Sequence, residues 1–160
     1  FIFSHVQQLG SDIEIRDAVS NVNIITCSDG SVRSPSSSFG FIISDQLGNR
    51  LIGGSGPAPG NPPTSFRSKA YGILALVRWL HHVFRNFPPS TQVPSLTHYL
   101  DNQSVIYRIQ QSLKTTWAAP NHRMLPEQDV VDKIVSTIQT LPIKLDLQWV
   151  KGHQDSATPY

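Results

Sequence analysis

The chain is poor in cysteine, in charge and in long apolar runs, and each shortage excludes a class. A single cysteine, Cys27, leaves no internal disulfide framework and no Cys-rich zinc module, which favours an intracellular setting. Cys27 itself reads as a small buried side chain. Charged residues make up 15%, and 13 Lys plus Arg against 11 Asp plus Glu leave a net charge of +2. That excess is too small to argue for nucleic acid, so any basic surface must be local. No apolar run reaches the length of a membrane span. The opening FIFSHVQQLGSDIEIRD carries acids where a secretory signal has basic, apolar and cleavage regions, so neither insertion nor export is indicated. What is present is a 39% hydrophobic fraction in 160 residues, which suits one globular domain with one core and excludes full disorder and a coiled coil. The chain opens on Phe1 and closes at Tyr160 after a stretch that reads like the middle of a motif, so it is expected to be part of a longer polypeptide.

Residues 1–20 show little periodicity, Gly10 interrupts QQLGSDIEIRDAV, and the stretch reads as a linker from an upstream domain. From residue 21 onward the pattern sharpens. NVNIITCSDG, SSFGFIISD and NRLIGGSG are three β-rich runs bounded by turn residues, which predicts an antiparallel meander. The proline-rich GPAPGNPPTS is a loop. After it, apolar residues recur at Phe66, Ala70, Ile73, Leu74, Val77, Leu80, His81 and Phe84, the spacing of a long amphipathic helix. A fourth strand, SLTHYLD, runs into a helix, NQSVIYRIQQSL, with Asp101 or Asn102 as its N-cap. KTTWAAPNHRMLP is irregular, EQDVVDKIVSTIQTL is helical, and KLDLQWVKG is a fifth strand. The order β-β-β-α-β-α-α-β predicts an α/β fold: a five-stranded mixed sheet flanked by helices, whose right-handed crossovers set the fourth strand beside the first.

Asp29 closes the first strand in TCSDGS, where Asp-Gly is also an ordinary turn pair. Asp101 closes the fourth, where it can equally cap a helix. With those strands adjacent, the two carboxylates can converge in one crevice, an arrangement that suits Mg²⁺. Lys69, three residues after Phe66 and four before Ile73, leans toward the sheet, either into that crevice or as a snorkelling lysine at its rim. His153 follows the fifth strand in WVKGH, as a surface loop residue or as a further member of the cleft. Arg78, Arg85, Lys114, Trp117, His122 and Arg123 are either scattered surface groups or a path for phosphates, and Trp117 can also be a core anchor.

SDGS, SFRSKAYGILAL, HYLDNQS and WVKGHQD, in this order on these elements, resemble the ribonuclease H domain of reverse-transcriptase-bearing retroelements over residues 22–155. The resemblance implies two Mg²⁺ (or Mn²⁺) ions held by four carboxylates, hydrolysis of the RNA strand of an RNA/DNA hybrid, and a reverse transcriptase domain upstream. Asp29 and Asp101 match the first and third ligands. Gly30 and Ser31 match the turn that meets the RNA backbone, Gln103 matches the position that contacts bases in the minor groove, His153 matches the mobile His of proton transfer or product release, and Asn102 is a further expected nucleic-acid contact. Lys114, Trp117 and Arg123 complete the expected nucleic-acid surface.

Two departures qualify this. Lys69 stands where the family has its second carboxylate, a Glu. At about 5 Å and an effective dielectric near 20, a unit charge and a divalent ion interact by about 6–7 kcal/mol, so repulsion in place of attraction opposes metal binding strongly. The fourth carboxylate belongs to a C-terminal helix beyond the GH phrase, whereas this chain stops at HQDSATPY and reads as truncated. Asp155 lies only two residues past His153, in a loop, and does not match that position. The expectation is therefore an impaired nuclease, or a non-catalytic domain that keeps the fold and binds nucleic acid.

Overall fold

The structure, a computed structural model, describes residues 5–90, 94–115 and 124–152. Six strands, β1 (Val6–Gln8), β2 (Ile24–Arg33), β3 (Ser36–Asp45), β4 (Arg50–Pro57), β5 (Ser95–Leu100) and β6 (Lys144–Trp149), form one sheet in the order β1-β4-β3-β2-β5-β6. The helices are α1 (Asp12–Ser20), α2 (Ser65–Asn86), α3 (Gln103–Lys114) and α4 (Gln128–Thr140). The meander β2-β3-β4 is antiparallel, and β5 and β6 join it in parallel, with β5 beside β2 as the crossover rule requires.

Among the described residues the sheet has six strands, not five. The additional one comes from the stretch that reads as a linker: β1 pairs antiparallel with β4, Val6 opposite Gly54. The rest of that stretch is also structured. Ser11 caps α1 by accepting the Glu14 N–H while the Glu14 carboxylate accepts the Ser11 N–H, a reciprocal capping box. Val19 then buries itself in the core. Gly10 does not interrupt this helix because it precedes the cap. The C-terminal helix expected to be missing concerns sequence beyond residue 152, outside the described residues.

Strand alternation decides which side chains enter the core. Ile24, Thr26 and Ser28 of β2, Phe39, Phe41 and Ile43 of β3, and Leu96, His98 and Leu100 of β5 are buried, and α2 packs against them through Ala70, Ile73, Leu74, Val77, Leu80 and Phe84. Cys27 has the opposite parity on β2 and is exposed, contrary to its expected burial. His81 lies outside the buried stripe of α2, exposed and 3.0 Å from Thr140 Oγ1. No helix of the described residues is long and apolar enough to cross a membrane.

Candidate functional site

Asp29, Lys69 and Asp101 come from three elements and meet. Lys69 Nζ donates to Asp29 Oδ1 at 2.8 Å and pairs with Asp101 Oδ1 as well. Asp29 does not close β2, as its Asp-Gly context suggests; the strand runs on to Arg33, with Asp29 opposite Gly40. The reason lies in the next residue. A Cβ on Gly30 would stand 2.4 Å from the carbonyl carbon of Ser68 and 2.5 Å from the Lys69 nitrogen, so glycine is what lets the α2 backbone rest on the strand. That contact carries Lys69 to Asp29. The Gly30 N–H also donates to Asp29 Oδ1 at 2.7 Å.

Asp101 follows β5 directly and is not the cap of α3. Asn102 takes that role, its Oδ1 accepting the Val105 N–H at 3.0 Å, which leaves the Asp101 carboxylate to Lys69. Gly152 closes the other side, since a Cβ there would lie 2.4 Å from Asp101 Oδ2. The three side chains are unequally enclosed: 10% of Lys69, 16% of Asp101 and 71% of Asp29 is exposed. Burial alone would lower the Lys69 pKa, but hydrogen bonds to Asp101 and Asp29, with their charges, outweigh it and raise the pKa above the ordinary lysine value. The ammonium is therefore fully charged at neutral pH.

Of the other expected contacts, Gly30 and Ser31 follow Asp29 within β2, and Asn102 and Gln103 follow Asp101 into α3. Ser31 is exposed, its hydroxyl 3.1 Å from Ser38 Oγ, and Gln103 is exposed at the first residue of α3. Lys114 sits at the far end of α3. Trp117, His122, Arg123, His153 and Asp155 lie outside the described residues.

Two further groups shape the surroundings of the site without a motif that marks them. His98 is completely buried three residues before Asp101, its ring nitrogens 2.9 Å from Thr26 Oγ1 and 3.0 Å from Ser28 Oγ. Burial lowers its pKa to about 3, so it is neutral. The alternation Leu96, His98, Leu100 points it inward and was the available signal. Arg67, two residues before Lys69, bridges to Glu127 at 2.7 Å and Asp129 at 2.8 Å, tying the start of α2 to that of α4. Its partners lie sixty residues away, and no local pattern reveals them.

The residues present do not fit the divalent ions that the resemblance implies. An ammonium sits between the two carboxylates, and no group of three or more His, Cys, Asp or Glu side chains among the described residues could hold a metal. Two carboxylates and one ammonium leave a net charge of −1, where a divalent ion would meet a fixed positive neighbour.

No family model matches the chain, and no curated protein matches it in sequence. Solved structures do match in fold. The RNase H domain of PFV is 15% identical, with 86% of this chain and 84% of that chain covered and a TM-score of 0.60. LC11-RNase H1, solved in complex with an RNA/DNA hybrid, is 18% identical over 84% of this chain and 90% of that chain, with a TM-score of 0.57. RNase H1 from the halophilic archaeon Halobacterium salinarum NRC-1 is 13% identical over 81% and 86%, with a TM-score of 0.55. The fold is that of the ribonuclease H domains.

Proposed function

We propose that this is a ribonuclease H-fold domain of a retroelement polyprotein that binds RNA/DNA hybrid and does not hydrolyse it by the metal-dependent route. The observation that carries the second half is the position of Lys69 Nζ, bonded to both Asp29 and Asp101. The first half is supported by the fold, by LC11-RNase H1 having been solved with a hybrid, and by the exposed Ser31 and Gln103 beside the carboxylates. An upstream reverse transcriptase domain and an intracellular location belong to the same reading.

In this reading Gly30 and Ser31 meet the RNA backbone, Gln103 reads the hybrid's minor groove, and Asn102 and Lys114, with Trp117 and Arg123 from outside the described residues, are further candidates for nucleic-acid contact. His153 has no proton to move, because no water is activated. Duplex shape and 2′-hydroxyls, rather than a base code, set the preference.

The alternative, a weakened Mg²⁺- or Mn²⁺-dependent nuclease, is favoured by the two carboxylates and by the length and flexibility of the lysine stem. Labelled hybrid distinguishes them. The protein is expected to bind hybrid with an affinity that falls steeply as salt rises, since phosphate contacts release counterions, and to leave the RNA strand intact in Mg²⁺ and in Mn²⁺. Robust cleavage by the unaltered chain contradicts the proposal, and absence of hybrid binding at low salt removes its first half.

A further inference from the structure

The Lys69 ammonium gives Asp29 and Asp101 the charge neutralisation that a bound ion would otherwise supply. We infer that Lys69 is a resident counter-cation: it closes the carboxylate pair to divalent ions and frees hybrid binding, as proposed above, from any need for metal. Removing the ammonium alone converts the pair into a divalent-ion site.

Position, confinement and charge carry this. Oδ1 of Asp29 and Oδ1 of Asp101 both bond one nitrogen, so both can reach one common point, as two carboxylates must to share a hard cation with oxygen ligands at about 2.0–2.6 Å. The ammonium is confined. Lys69 is 8% exposed, and the α2 backbone at its root rests on Gly30, where even a methyl group has no room. Gly152 flanks Asp101 Oδ2 so closely that a Cβ there would stand against it. Departure of the ammonium requires the lysine stem to rotate out and break both ion pairs. Without the ammonium, the two carboxylates carry −2 between them at the same separation, and their repulsion then favours a divalent ion.

The chain and its Lys69→Gln variant are titrated with Mn²⁺, with the free ion followed by electron paramagnetic resonance. Thermal unfolding is measured in EDTA and in Mg²⁺, and hybrid affinity in the same two solutions. The unaltered chain is expected to leave Mn²⁺ free, to unfold at the same temperature in both solutions, and to bind hybrid equally, within about twofold. Lys69→Gln is expected to take up about one Mn²⁺ per chain, to lose it when Asp29→Asn is added, and to melt higher in Mg²⁺ than in EDTA. Its hybrid affinity should be about tenfold weaker in EDTA than in Mg²⁺. Should Lys69→Gln not fold by circular dichroism, Lys69→Met, which keeps the stem's length without its charge, replaces it. Mn²⁺ uptake by the unaltered chain that Asp29→Asn abolishes overturns the inference, and so does a folded variant that takes up none. If no chain binds hybrid, the hybrid reading fails while the Mn²⁺ titration still decides the counter-cation.

Discussion

Asp101 and Asp29 hold the same ammonium in different surroundings, and their removal should differ accordingly. Asp101 is largely enclosed, so Asp101→Asn leaves a confined ammonium short of its enclosed counter-charge, at a cost of about 2–3 kcal/mol in unfolding free energy. Asp29 is mostly exposed, and Asp29→Asn should cost about 1 kcal/mol or less. Equal losses in urea titrations would contradict the asymmetry. The sign of the pH effect follows from the raised Lys69 pKa. The stabilisation is complete below the unfolded value of 10.5 and disappears only as pH rises through the higher folded value, so it is constant around neutrality. His98 behaves in the opposite sense. Its pKa is about 3 folded against 6.5 unfolded, so the unfolded chain binds the extra proton between those values. Stability should then fall by about 1.4 kcal/mol per pH unit below 6.5. His98→Gln removes that slope, which a comparison of the two proteins between pH 4.5 and about 6.5 will show.

The elements that place these side chains are as testable as the side chains. Gly30→Ala puts a methyl group against the Ser68 and Lys69 backbone, so α2 must shift from β2 at a cost of about 2–3 kcal/mol, with loss of the ion pairs it carries. Amide exchange of β2 and the first turns of α2 should accelerate together; an unchanged pattern would mean that the contact does not fix Lys69. The first twenty residues were illegible for a physical reason. β1 is three residues long, too short for alternation to be read, and Val19 is the one fully buried residue of α1. Yet the capping-box pair, Ser11 followed three residues later by Glu14, was a readable signal. Ser11→Ala should lower stability by about 1 kcal/mol, whereas a cap in a linker would contribute nothing to unfolding of the domain.

At the scale of the whole molecule, the sequence carried the topology and the meeting of three charges, because both follow from local rules. Period-2 and period-3.6 patterns gave the meander, the long helix and the βα junction, and the crossover rule set β5 beside β2. Lys69 was legible as leaning toward the sheet from its place beside Phe66 and Ile73. The limits of the local rules show at Asp29, where the Asp-Gly pair suggests a strand end and the strand continues, and at Cys27, whose exposure depends on which sheet face the helices cover. Arg67 with Glu127 and Asp129 lies beyond such rules altogether. Deleting residues 1–20 tests the sheet as a unit. Loss of β1 and of Val19 should lower the melting temperature by several degrees, about 4 °C for each kcal/mol in a domain of this size, while a free linker would leave it unchanged.

The most direct measurement is a ¹H–¹⁵N spectrum of the lysine ammonium groups at neutral pH. One ammonium, assigned to Lys69 by substitution, should exchange slowly with water, keep its position when Mg²⁺ is added, and lose its protection in Asp101→Asn. A Lys69 ammonium that exchanges as fast as a surface lysine, in a protein whose Asp29 and Asp101 signals move on addition of Mg²⁺, would contradict the account.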